Sequence, residues 1–218
     1  MFARVPEPGV VKTRLLPTLA AADAARLYGA FTEDLCARLV PHFRLVLACS
    51  PAPEHPYFGA LARRFGCELT AQGDGDLGAR MRRAAGAVLA TAPRAVLIGS
   101  DAPTVGVEAI RSAFGALRRA RVVIGPSVDG GYYLLGVRPP LPPIFARMPW
   151  GSARVLARTL AALRRARIAP GVLPCWYDVD TPADVALLRR HLDVLATLGA
   201  RPCPRTVRVL RRLREVAA

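Results

Sequence analysis

The stretch RAVLIGSDAPT, residues 94–104, decides the fold. Arg94 to Gly99 is the clearest of several short apolar runs that read as strands, rich in Val, Leu and Ile. Ser100 and Asp101 close it, and Pro103 ends the extended segment. A carboxylate that follows directly on an apolar strand projects at the carboxyl edge of a sheet. There it can hold Mg²⁺ on a substrate phosphate, or simply cap the next helix.

On either side of this segment, strand-like runs alternate with helical patterns. Phe43 to Cys49, Val122 to Gly125, Tyr132 to Gly136 and Val172 to Tyr177 read as further strands. Leu27, Phe31, Leu35 and Leu39 recur every fourth residue and form a helical stripe. Ile110, Phe114 and Leu117 form a second stripe, and Val155, Thr159 and Leu163 a third. Thr181-Pro182-Ala183-Asp184 supplies an N-cap, a proline at the first helical position and an acid at the third. The alternation predicts one α/β domain over residues 1–200, a Rossmann-like, mostly parallel sheet with helices on both faces. Ligands of such sheets bind beyond the carboxyl ends of the strands. Residues 201–218 are expected to form a basic C-terminal helix or tail. The first strand is anomalous: Met1-Phe2-Ala3 falls short of the roughly five residues usual for a strand. It reads as truncated, and the reading frame is expected to extend upstream.

Composition narrows the class. A chain of 218 residues with 52% hydrophobic content can bury a core of ordinary size. Arg, Pro or Gly interrupts every apolar run before it reaches membrane-spanning length. Met1 to Arg14, with Pro6, Pro8 and Gly9, lacks the apolar centre of a signal peptide, so a cytoplasmic location is expected. None of the 5 cysteines forms a C-x-x-C pair, which argues against a disulfide framework or a zinc site. Cys36, Cys49 and Cys67 read as small core residues. The formal charge of +15 resembles a nucleic-acid signature, but of 31 basic residues only Lys12 is a lysine, and asparagine is absent. Both facts point to coding bias rather than to a binding surface. Aromatic and basic residues are not interleaved as in a module that stacks RNA bases. Six arginines from Arg201 to Arg214, set against Glu215, read as a solvated basic helix or as a tail for an acidic partner or membrane surface.

Four more segments can carry chemistry. ARVPEPGVVKTRLL, residues 3–16, combines a Gly9 turn with Arg4, Lys12, Thr13 and Arg14 near a helix start. Such loops present N–H groups and cations to phosphates, although the Walker spacing is absent. Lys12 is suggestive because a compact ammonium fits between phosphate oxygens where a planar guanidinium does not. As a loop lysine it is expected to bury little. GDGDLG, residues 73–78, matches a dinucleotide fingerprint literally, but Asp74 and Asp76 would oppose a pyrophosphate. It reads instead as a loop leading into a helix over Leu77–Leu89, with Gly78 near the ligand and Arg80 and Arg82 able to face it. GPSVDGGYYLLG, residues 125–136, offers Asp129, Gly130 and Gly131 for close backbone approach and Tyr132 for stacking, and Asp-Gly is also a hairpin signal. In WYDVDTPAD, residues 176–184, Asp178 and Asp180 share a strand face, and either can be a second metal ligand. His42, His55 and His191 are isolated and read as structural. Ser100 and Ser127 lie outside a G-x-S-x-G elbow.

In this order, PEPGVVKTRL, GDLGARM, GSDAPT, GPSVDGGYYLLG and YDVDTPAD resemble a bacterial family of glycosyltransferase-A-like proteins within the nucleotide-diphospho-sugar transferase superfamily. Some members are named as arsenosugar-biosynthesis glycosyltransferases. The resemblance runs from Phe2 to His191. The framework is also similar to small nucleotidyltransferases, including the guanylyltransferases of molybdenum-cofactor and coenzyme F420 synthesis. The resemblance implies that Gly9, Lys12 and Arg14 hold nucleotide phosphates; Arg4, Thr13, Gly78, Arg80 and Ser100 are expected to bind the nucleotide beside them. It also implies that Asp101 and Asp180 bind Mg²⁺ or Mn²⁺. The chain departs from the glycosyltransferase pattern in lacking D-x-D at Asp101, which fits a metal site completed from afar by Asp180.

The expected activity is a metal-dependent, nucleotide-using transfer. Glycosyl transfer from a nucleotide sugar to a small acceptor comes first. Nucleotidyl transfer from a triphosphate to a small phosphorylated substrate, with release of pyrophosphate, is the alternative. A catalytically inactive nucleotide-binding protein is the reading from another class, and retention of both Asp101 and Asp180 argues against it.

Overall fold

Local chemistry sets the helix boundaries before packing does. The computed structural model describes residues 1–215, with side chains described to Leu213. In chain order the elements are β1 (Phe2–Arg4), a 3₁₀ turn (Thr13–Leu15), α1 (Ala21–Leu39), β2 (Val46–Ser50), α2 (Pro56–Phe65) and β3 (Glu68–Ala71). Then come α3 (Leu77–Leu89), β4 (Ala95–Ile98), α4 (Val107–Ala116), β5 (Val122–Pro126) and β6 (Tyr132–Val137). The chain continues with α5 (Val155–Arg165), β7 (Gly171–Val172), α6 (Pro182–Thr197) and α7 (Pro204–Glu215). Asp76 starts α3 by accepting the Ala79 N–H at 2.8 Å. Thr181 and Asp184 close a reciprocal capping box on α6, with Pro182 in the first turn. Pro56 starts α2, where His55 Nδ1 accepts the Tyr57 N–H at 3.2 Å, so His55 is a cap.

β1, β2 and β3 form a parallel sheet in that order, and β4, β6, β5 and β7 form a second. β5 and β7 are parallel, whereas β6 runs antiparallel to β4 and to β5. The Asp129-Gly130 turn reverses the chain between β5 and β6, so the hairpin reading of that dipeptide holds. The fold is therefore mixed α/β, parallel in its first half and with an antiparallel insertion in its second. β1 spans three residues. β2 begins at Val46 rather than Phe43, and β7 is two residues long, with Trp176 adding a single bridge to Ser127.

One core packs the first sheet against α1, α2 and α4, through Leu35, Leu47, Phe58, Ile110 and Leu134. Cys36, Cys49 and Cys67 are buried within it. A second core packs α3 and α5 on β4, β5 and β6, through Met81, Leu97, Ile124 and Leu163. A third gathers Leu27 and Phe31 of α1, Leu188 of α6 and Leu210 of α7. Helix α7 thus lies on α1. Its first turn is capped from that helix: Asp34, whose side chain is 0% exposed, accepts the N–H groups of Arg205 at 3.2 Å and Thr206 at 2.8 Å. The expected basic segment 201–218 contains this helix, and residues 216–218 lie outside the described residues. Among the described residues, no helix is long and apolar enough to cross a membrane.

Candidate active site

The loop after β1 carries the chain's only lysine into a cleft between strand ends. Gly9 takes φ +78°, and the N–H groups of Val10 and Val11 return to the Glu7 carbonyl at 3.1 and 3.3 Å. Lys12 itself takes φ 52°, a left-handed conformation that costs a non-glycine residue roughly 1–2 kcal/mol. That backbone turns its side chain inward. The Lys12 ammonium donates to Asp101 Oδ1 and, at 2.9 Å, to Asp180 Oδ1. Its side chain is 2% exposed, against 42% for Asp101 and 39% for Asp180. The expectation that Lys12 buries little is therefore wrong: a positive-φ loop has folded it under the acids. Burial opposes its charge, but Asp101 and Asp180 outweigh that cost and hold its pKa above the ordinary lysine value.

Each acid is placed by the element before it. Asp101 follows β4, and its carbonyl accepts the Val179 N–H at 2.8 Å, which fastens the 178–180 segment beside it. Asp101 does not cap α4, whose N-cap is Gly106. Tyr28 of α1 joins three parts of the site. Its hydroxyl accepts the Arg4 N–H at 2.9 Å and pairs with Ser100 Oγ at 2.7 Å, and its ring centroid lies 5.7 Å from the Lys12 ammonium. Asp178 is also close. Burial, with Asp101 and then Asp129 and Asp180 nearby, pushes its carboxyl up to about 7, against the Ser127 hydroxyl that donates to it at 2.9 Å.

These groups open onto a cavity of about 920 Å³ at the carboxyl ends of β1, β3 and β4. Of the residues singled out in the sequence, Arg4, Lys12, Thr13, Arg14, Arg80, Ser100, Asp101, Asp129, Gly131, Tyr132 and Asp180 line it. Gly9, Gly78 and Gly130 do not, and each has a backbone role instead. A Cβ on Gly78 would lie 1.8 Å from the Phe145 carbonyl and 2.8 Å from the Trp150 ring. One on Gly130, at φ +86°, would lie 2.2 Å from the Ala153 carbonyl. Arg82 faces solvent. The Tyr132 ring lines the wall, but its hydroxyl is buried beside Thr159 of α5 without closing a full hydrogen bond.

Sequence reasoning missed Tyr28, Gln72, Trp150 and Ser152, and set Asp178 aside in favour of Asp180. Gln72 had a signal: it is the chain's only glutamine, as Lys12 is its only lysine. Its amide donates to the carbonyls of Ala3 at 3.2 Å and Ala48 at 2.9 Å, tying β1 to β2 beneath the cavity. Tyr28 and Trp150 stand in no motif that marks them.

Among the described residues, no three His, Cys, Asp or Glu side chains form a closed metal cage. The donor chemistry nonetheless fits a hard divalent cation. Asp101 and Asp180 each turn one oxygen to Lys12 and stay about two-fifths exposed to the cavity. With Asp76, Asp129 and Asp178 they make five carboxylates that line the cavity beside the cations Arg4, Lys12, Arg14 and Arg80, and the raised Asp178 pKa registers burial and the acids nearest to it. Oxygen donors open to water suit Mg²⁺ or Mn²⁺.

The family of bacterial proteins described as uncharacterized (DUF2064) matches residues 35–152, more than half of the chain. A Desulfovibrio desulfuricans G20 protein, assigned by name to the nucleotide-diphospho-sugar transferases, is 33% identical. The alignment covers 98% of this chain and 95% of that one, with a TM-score of 0.84. The 2-phospho-L-lactate guanylyltransferase of Methanothermobacter thermautotrophicus is 30% identical over 129 residues, 59% of this chain; the match spans about half (56%) of that protein's length. At 9% identity, the 4-diphosphocytidyl-2C-methyl-D-erythritol synthase of Anaerococcus prevotii shares the fold, with a TM-score of 0.57 over 88% of this chain and 96% of that one. The chain therefore belongs to the bacterial DUF2064 family, and it has the fold of the nucleotide-diphospho-sugar transferases.

Proposed function

We propose that the protein is a divalent-metal-dependent transferase that takes a nucleotide sugar as donor and passes its glycosyl group to a small acceptor. The observation that carries this reading is the buried Lys12 ammonium bridging Asp101 and Asp180 at the base of the cavity. Arg4 and Arg14, which line the same cavity, would attract the diphosphate. Lys12, held by the Gly9 turn and by Tyr28, supplies a compact positive charge within the cavity, where a phosphate oxygen gains more from it than in water. Asp101 and Asp180 would hold the metal, which supplies neutralisation of phosphate charge as the leaving group departs. Ser100, locked to Tyr28, keeps the β4 end rigid beneath these groups. The name of the Desulfovibrio relative supports the glycosyl reading.

Nucleotidyl transfer from a triphosphate is the second reading. The guanylyltransferase relative and the Lys12-Thr13-Arg14 loop favour it. The two reactions break different bonds, so the products decide between them. Incubation with Mg²⁺ and pooled nucleotide sugars is expected to release a nucleoside diphosphate. Release of pyrophosphate from pooled triphosphates would move the assignment to the second reading. Nucleotide binding without turnover of either pool would leave an inactive binding protein.

A further inference from the structure

We propose that the part of the cavity lined by the turn after β5 and the segment before α5 selects an unphosphorylated acceptor: a neutral or cationic molecule that offers a hydroxyl or amine. The inference rests on the transferase reading above and goes beyond it by excluding a class of acceptor. Among the described residues, every cation that lines the cavity comes from β1, the loop after it or α3: Arg4, Lys12, Arg14 and Arg80. Arg80 is turned back, with Nε donating to the Gly75 carbonyl at 2.9 Å.

That part of the wall is built from the turn after β5, the segment before α5 and Asp178, which the Ser127 hydroxyl ties to the turn at 2.9 Å. Among the described residues, its lining includes no Lys, Arg or His, and its acids are Asp129 and Asp178. Arg154 is next in sequence to this lining but does not join it. A helix N-terminus can hold phosphate without any cation, and α5 begins here. The N–H groups of Arg154, Val155 and Leu156 there are already occupied, however. Arg154 N–H donates to Ser152 Oγ at 3.4 Å, Val155 N–H to the Ser152 carbonyl at 3.2 Å and Leu156 N–H to the Gly130 carbonyl at 3.0 Å. A phosphate on this wall would meet two acids and no free donor charge, which repels it. The Tyr132 and Trp150 rings supply an apolar face, and the acids accept hydrogen bonds from hydroxyl or ammonium groups.

The test uses ligand-observed NMR on the protein with Mg²⁺ and a saturating nucleoside diphosphate, which occupies the cationic side. The probes are matched pairs: glycerol with glycerol 3-phosphate, L-lactate with 2-phospho-L-lactate, and ethanolamine with phosphoethanolamine. The expected result is that the unphosphorylated member binds at least tenfold more tightly in at least one pair. Ser152→Arg, which sets a cation on this wall, is expected to narrow or reverse that preference. Equal or tighter binding of the phosphorylated members to the parent protein overturns the proposal. So does binding by no probe while the nucleotide binds. Failure of the nucleotide itself to bind overturns the transferase reading instead.

Discussion

Lys12 gives its charge to Asp101 and Asp180, and substitution there separates its possible roles. Removing one member of a fully buried ion pair costs about 3–5 kcal/mol, but both acids are about two-fifths exposed, so solvent screening cuts the cost of Lys12→Met to about 1–2 kcal/mol. The same variant leaves the acids uncompensated. Added Mg²⁺ is therefore expected to raise its melting temperature more than that of the parent, while nucleotide affinity falls tenfold or more. Lys12→Arg must fit a larger planar group into a site that is 2% exposed, and is expected to weaken nucleotide binding by a similar factor. Melting curves with and without Mg²⁺, beside titrations with nucleotide, read both effects. An arginine variant indistinguishable from the parent would make Lys12 a replaceable cation. The singularity of Lys12 in an arginine-rich chain made it legible. The direction of its side chain was not, because a positive φ at a lysine leaves no mark in sequence.

The elements show which signals carry from sequence to structure. Helix α3 was legible to its ends, because Asp76 caps it and an apolar face follows. Strand β3 and helix α2 were not, since β3 is an edge strand whose exposed and half-buried residues show no alternation. The glycines mark a subtler failure. Gly78 and Gly130 read as ligand-facing because glycine permits close approach, and they do permit it, but to the Phe145 and Ala153 carbonyls. Gly78→Ala is expected to displace the Phe145–Trp150 segment and lower the melting temperature clearly. A stable variant that loses only nucleotide affinity would restore Gly78 to the binding site. Asp34 makes a separate prediction. It caps α7 from α1, so Asp34→Ala is expected to cost about 1–3 kcal/mol. Because α7 lies outside the cavity lining, nucleotide affinity at a temperature where the variant is folded should be unchanged.

At the scale of the molecule, alternation of strands and helices placed the site at the strand ends, and the cavity lies there. The net charge of +15 hides a local concentration of acid: five of the chain's carboxylates, those of Asp76, Asp101, Asp129, Asp178 and Asp180, line one cavity with four cations. Global composition averages such a feature away. Only the fold brings Asp101 and Asp180 to one ammonium across 168 residues of sequence. The central claim is that these two acids form a metal-assisted nucleotide site, and calorimetric titration tests it most directly. Nucleoside diphosphate is titrated into the parent, Asp101→Asn and Asp180→Asn proteins, with and without Mg²⁺. The account predicts that Mg²⁺ tightens binding to the parent at least tenfold and that each variant loses that gain while staying folded. Mg²⁺-dependent binding of undiminished strength in both variants would contradict it.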